Sequence, residues 1–163
     1  MKPVNQELAF LPEKRFMLRA LELARQAAAE GEVPVGAVVV RDGRIVGEGR
    51  NRRETQKTAL GHAELDALSA ACETLGDWRL SGCVLYVTLE PCPMCMGAAI
   101  NARIDTVVYG AEDEKAGCCG SVTNLAELPF SHKPALFPGF CEEESRALLR
   151  AFFGGLRNKN QLP

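Results

Sequence analysis

In "EKRFMLRALELARQAAAEGE", Phe16, Ala20, Leu23, Ala24 and Ala27 recur at the spacing of one helical face. Pro12 suits the first turn of that helix and Gly31 its end. The period then changes. "VGAVVVRDGRIVGEGRN" holds two strand-like runs around Asp42-Gly43, a strong two-residue hairpin signal. In "HAELDALSAACETLG" the residues Leu65, Leu68, Ala71, Cys72 and Leu75 share one helical face, and Gly76 is the stop. "CVLYVTL" is apolar without alternation, as a central strand covered on both faces requires. "MCMGAAINAR" predicts a helix, "IDTVVYGA" another strand, and residues 112–134 a loop-rich segment. Pro134 and Pro138 restrict "PALFPGFC" to an edge strand or a loop. "EEESRALLRAFFGGLRN" predicts a final helix, acidic at its start and basic at its end as the helix dipole favours, with Gly154-Gly155 weakening its last turn. The order αββαβαβ predicts an α/β sheet layered by helices.

Composition narrows the class more than the fold. The 163 residues, 47% hydrophobic and 25% charged, fit one globular domain over 1–163, with no repeat, linker or low-complexity tract. No run approaches the roughly 18 apolar residues of a membrane span, and the first residues lack the apolar core of a secretory signal. The expected location is therefore cytoplasmic, without membrane association. In that reducing compartment seven cysteines, an odd number, argue for metal binding, catalysis or burial rather than a disulfide framework. A net charge of −2 neither suggests nor excludes a nucleic acid. Gripping a long duplex calls for a basic chain, whereas a short single-stranded loop needs only a local patch. Arg146, Arg150, Arg157 and Lys159 on the final helix mildly favour such a partner, although a solvated face reads the same way.

The candidate chemistry lies in two short stretches, "GHAEL" and "TLEPCPMCMG". Cys92 and Cys95 share the first turn of a predicted helix, where the helix dipole favours thiolates, the form that binds zinc. His62 opens another helix and can supply a neutral nitrogen. One His and two thiolates leave a tetrahedral zinc one ligand short, the mark of a catalytic rather than a structural site. Glu64 points roughly 200° around a helix from His62, so it suits a proton shuttle better than a fourth ligand. The spacing H-x-E followed by P-C-x-x-C is that of the zinc deaminases. Other readings fit the same residues: packed thiols with a capping histidine, or a structural zinc with Cys83, Cys118, Cys119 or Cys141 as fourth ligand.

From about residue 12 to residue 159 the chain resembles the cytidine deaminase-like superfamily, and within it most closely the bacterial tRNA-specific adenosine deaminases. The resemblance rests on "EVPVGAVVV", "GEGRN", "HAELDAL", "LYVTLEPCPMCMGAAINARI", "VVYGAEDEKAGCCGS" and "LLRAFFGGLRNK". It implies a three-layer α/β/α fold around a mixed sheet of about five strands, a homodimer, and one zinc per subunit. It also implies hydrolysis of the 6-amino group of a wobble adenosine in a tRNA anticodon stem-loop, leaving inosine. On this resemblance His62, Cys92 and Cys95 are the zinc ligands and Glu64 is the proton shuttle. Asn51 hydrogen-bonds the target base, and Pro34, Val35 and Gly36 line its pocket. Asp113 and Lys115 belong to a loop that holds neighbouring nucleotides, and Phe152 and Phe153 lie near the anticodon loop. Gly61, "PALFPGFC", Cys118-Cys119 and Gly154-Gly155 depart from the usual family pattern.

Bland readings stand beside these. Asn51 also suits a turn, Asp113 and Lys115 a solvated loop, and the Phe pair a core anchor. Two rival functions stand beside this one: a deaminase of free nucleosides or bases (guanine, cytosine or adenosine) using the same zinc set, and a non-enzymatic zinc-stabilised interaction module, which four full ligands with no exchangeable water would mark.

Overall fold

The structure is a computed structural model and describes residues 10–160. Helix α1 spans Lys14–Ala29, with Glu13 rather than Pro12 at its N-cap, so Pro12 lies just outside the first turn. Strands β1 (Gly36–Arg41) and β2 (Arg44–Arg50) form the expected hairpin. Both turn residues, Asp42 and Gly43, have positive φ (50° and 73°), the requirement of a tight primed turn. There follow α2 (Ala63–Leu75), β3 (Cys83–Leu89), α3 (Pro93–Asn101) and β4 (Thr106–Ala111). A short 3₁₀ turn at Leu125–Glu127 interrupts the long connection to β5 (Ala135–Phe137), and α4 (Glu142–Asn160) ends the described chain. The doubtful "PALFPGFC" segment is thus a strand of three residues at the sheet edge, bounded by its two prolines. Gly154-Gly155 does not interrupt α4.

The five strands lie in the order β2-β1-β3-β4-β5. The β1/β2 and β1/β3 pairs are antiparallel, and β3/β4 and β4/β5 are parallel. Side-chain alternation splits the core into two layers. Val39, Leu85, Val87 and Val107 face α2 and α3. Val38, Val40, Tyr86 and Val108 face Phe16, Met17, Ala20 and Leu21 of α1, with Leu148 of α4 packed alongside. The result is three layers, α/β/α.

Glycines set how closely the helices approach. A Cβ on Gly47 would fall 2.2 Å from Ala67 O, and one on Gly49 2.1 Å from Ala63 O. The α2 backbone therefore rests directly on β2, and the buried face of α2 shifts to Ala63, Ala67, Leu68 and Ala71, leaving Leu65 half-buried. Gly36 plays the same part for α1, since its Cβ would meet Ala20 O at 1.9 Å. The contact between α2 and β2 places the start of the helix against the end of the strand, and so positions His62.

Candidate metal centre and active site

Strand β3 delivers the chain to Pro91 and then to Cys92, whose extended backbone (φ −75°, ψ 175°) makes it the N-cap of α3. Pro93 begins the helix, where its missing N–H is no loss and its fixed φ is already helical. His62 is likewise the N-cap of α2 (φ −89°, ψ 144°). Two helix N-termini, each with a partial positive charge, therefore converge on one point. Gly61 allows the 52–53 backbone to close over the start of α2. Its carbonyl accepts from Arg52 N at 2.9 Å, and a Cβ there would sit 3.0 Å from Arg53 Cα.

His62 Nδ1 lies 3.6 Å from Cys92 Sγ and 3.5 Å from Cys95 Sγ. A tetrahedral zinc with ordinary Zn–S and Zn–N bonds separates such atoms by about 3.6 Å. Among the described residues this is the one cluster of three or more ligating side chains that could hold a metal ion. Cys83, Cys118, Cys119 and Cys141 do not join it. The Cys118 thiol donates to Ala116 O, and that of Cys119 to Met96 Sδ. Hydrogen bonding from Cys95, then from His62, outweighs burial and pushes the Cys92 thiol down to about 4. The Cys95 thiol is held up by that same contact and by burial, and the His62 imidazole is raised through its contact with Cys92. The trio is thus a donor set suited to a thiophilic cation.

A cavity of about 200 Å³ opens beside the cluster. His62, Cys92, Glu64, Asn51, Val35 and Asp113 line it, together with Val33, Arg53, Leu89, Glu90 and Ala116. Its volume suits one heterocycle rather than a larger ligand. Glu64 is 4% exposed, and burial raises its carboxyl to about 7. Asn51 is held on both sides: Nδ2 donates to Val33 O at 3.2 Å and Oδ1 accepts from Arg53 N at 3.2 Å. One amide N–H and one oxygen lone pair remain for a ligand.

The other expected contacts divide. Pro34 is buried and Gly36 is turned against α1, and neither lines the cavity. Asp113 does, while its Oδ1 accepts from Lys115 N and Ala116 N and shapes its own turn. Lys115 is exposed outside the cavity. Phe152 and Phe153, edge to face with centroids 5.4 Å apart, line a second cavity of about 280 Å³ with Leu156, Gly31, Glu32 and Glu54. Val33, Asn51 and Arg53 line both cavities, so the surface runs continuously from α4 to the His62, Cys92 and Cys95 cluster. The basic face of α4 is partly neutralised from within, as Arg146 pairs with Glu142 and Arg150 with Glu143.

Sequence reasoning missed Arg53, Glu90 and Glu32. Arg53 stands two residues after Asn51, and Glu90 two before Cys92, so proximity to the motifs was the available signal. Glu32 is fully buried and accepts from Glu54 N and Thr55 N at 3.0 and 2.7 Å, tying down the loop that follows Asn51. An acid in "GEVPVG" carries no sign of that distant loop.

The family model of the MafB19-like deaminases matches residues 12–156. A tRNA-specific adenosine deaminase of Bacillus subtilis (strain 168) is 45% identical over 150 residues, covering 91% of this chain and 93% of that one. A solved structure from biochemical and structural studies of A-to-I editing by tRNA:A34 deaminases is 43% identical, with a TM-score of 0.80, over 84% of this chain and 100% of that one. The X-ray structure of guanine deaminase from Bacillus subtilis is 33% identical, with a TM-score of 0.61, over 91% of this chain and 95% of that one. The three-layer sheet is thus the cytidine deaminase-like fold that the sequence led one to expect. With the cluster, the buried acid beside it and these likenesses together, the chain belongs to the MafB19-like deaminase family, alongside the tRNA-specific adenosine deaminases.

Proposed function

We propose that this protein is a single zinc-dependent deaminase domain that hydrolyses the wobble adenosine of a tRNA anticodon to inosine. One observation carries the reading: a base-sized cavity joins a buried carboxylate to a three-ligand metal cluster, then continues to the aromatic pair of α4. His62, Cys92 and Cys95 would hold one zinc ion per subunit, which would supply the Lewis acidity that makes water a nucleophile at neutral pH. Glu64 takes a proton from that water and gives one to N1 of the adenine as C6 is attacked. It then takes the proton of the new C6 hydroxyl and passes it to the departing 6-amine, so adenosine and water become inosine and ammonia. A carboxyl raised to about 7 by burial suits both halves of this exchange near neutral pH. Asn51, clamped by backbone on both sides, presents its spare N–H and lone pair to the base. Val35 and Leu89 give the ring apolar walls. The target base must leave its stack to enter, which suits a splayed loop.

The nucleotides beside the target would lie over Arg53 toward Phe152 and Phe153, where aromatic faces can stack bases. Arg53 forms no ion pair among the described residues and is available to a phosphate. Asp113 and Lys115 would bound the opposite side. The deaminase relatives support tRNA as the partner, and we extend their function to this chain on that ground. A homodimer is inferred from the resemblance and from α3, an apolar helix with only Cys95, Met96 and Ala99 buried. A cytoplasmic location suits seven free thiols. No described helix is long and apolar enough to cross a membrane.

The likeness to guanine deaminase favours a second reading, a free-base deaminase using the same cluster. Incubating zinc-loaded protein with an anticodon stem-loop carrying a wobble adenosine, and in parallel with free nucleosides and bases, separates the two. Inosine in the RNA alone is expected; ammonia from the free compounds alone would transfer the assignment.

A further inference from the structure

Between Ala111 and Leu125 the chain has almost no regular structure, only an isolated bridge between Cys119 and Asn124. This loop nevertheless supplies Asp113 and Ala116 to the cavity wall. Cys118 N donates to Pro91 O at 2.9 Å and the Tyr109 hydroxyl to Cys119 O at 3.3 Å, but the side chain that gathers most of its backbone is a single buried one. Glu90, 2% exposed, stands at the end of β3 just before Pro91 and Cys92. Its Oε1 accepts from Asp113 N at 3.1 Å and from the Ser121 hydroxyl. Its Oε2 accepts from Cys119 N at 2.9 Å and from Ser121 N at 3.1 Å. All four donors come from the one loop. The loop also fits itself around the carboxylate: a Cβ on Gly117 would fall 2.3 Å from both Glu90 Cδ and Oε2.

Among the described residues Glu90 has no ion-pair partner. Burying a carboxylate without a counter-charge is costly, and an apolar side chain would serve a core position better. The arrangement makes sense as a clasp for a segment that cannot fold on its own ladder. From these contacts we propose that Glu90 is a positioning residue, which fixes the Asp113 wall of the cavity and thereby sets the affinity for the nucleotides beside the target base. This rests on the RNA reading above and deepens it.

The test uses the zinc-loaded full chain as the unaltered protein, Glu90→Gln and Ser121→Ala. The Glu90→Gln change keeps the side chain's shape but turns an N–H₂ toward backbone N–H groups. Amide exchange across 112–121 should quicken at least tenfold in Glu90→Gln and less in Ser121→Ala, with β3 and β4 unchanged. On the stem-loop, KM should rise tenfold or more at full zinc content while kcat changes little. Combining Glu90→Gln with Asp113→Ala should add little to the larger single effect, since both act through one wall. Unchanged exchange in both variants overturns the proposal. So does a fall in kcat at constant KM, the sign of a smaller folded fraction. If Glu90→Gln does not fold, Ser121→Ala decides, since it keeps the carboxylate and removes one donor. Exchange is read without substrate, so a loosened loop supports the clasp even if the unaltered protein deaminates only free bases. In that event it is the RNA reading that fails.

Discussion

Glu64 and Glu32 are both buried carboxylates, and their surroundings push them in opposite directions. Burial dominates at Glu64 and raises it to about 7, where it can trade protons with substrate. At Glu32 burial also opposes the charge, but the N–H groups of Thr55 and Glu54 outweigh it and hold the carboxyl below its ordinary 4.5. Glu64→Gln should therefore keep one zinc per chain and lose about 10²–10⁴-fold in kcat, read as inosine formed against metal content. Cys92→Ala should lose the zinc as well. Glu32→Gln makes a different prediction. A carboxyl depressed on folding contributes stability that is present above its unfolded pKa and lost as pH falls through the folded one. The variant should melt below the unaltered protein at neutral pH, and the gap should close below about pH 4.5. A gap independent of pH would mean that Glu32 acts by packing and not by charge.

At the scale of elements, bare backbone contacts decide where the helices sit. Gly49 lies under Ala63, the residue after His62, so Gly49→Ala pushes α2 off the sheet at the metal end. The expected loss is about 2 kcal/mol or more by denaturant titration, with weaker zinc binding, because overpacking strains both partners. Gly154 and Gly155 are the counter-case. Neither would meet anything within 4 Å of an added Cβ, and both lie inside α4. Replacing either with Ala should stabilise α4 by up to about 1 kcal/mol through the lower cost of ordering the chain. The same glycines show what periodicity could and could not reveal. The helical face of α1 was legible because Phe16, Ala20, Leu23, Ala24 and Ala27 all pack inward. The face of α2 was legible in Leu68, Ala71, Cys72 and Leu75, which pack in or against the core, but Leu65 is not part of it and Ala63 and Ala67 are. The glycines of β2, a separate element, bring Ala63 and Ala67 onto the sheet beside Leu68 and Ala71, which the period of α2 alone does not show.

For the whole molecule, the metal is expected to join its parts, since its ligands come from the starts of two helices that are distant in sequence. Zinc at about 100 times its Kd adds roughly 2.7 kcal/mol to folding. For a chain of this size that is about 5–10 °C in Tm. Chelation should lower Tm by this amount, and added zinc should restore it; a Tm insensitive to both would argue against the cluster as a zinc site. The alternation of apolar runs with turn and cap signals determined the element order, because each signal is local: a period, a proline, a glycine at positive φ. The motif residues His62, Glu64, Cys92 and Cys95 were legible for a related reason, as ligand spacing within one turn is a property of the chain itself. Only the tertiary structure decided that the two halves meet with nitrogen and sulfur 3.5–3.6 Å apart. It alone also turned Gly36 toward α1 and closed Glu32 and Glu90 onto loops more than twenty residues away. Those outcomes follow from which surfaces the sheet order brings into contact, and no local pattern carries that information.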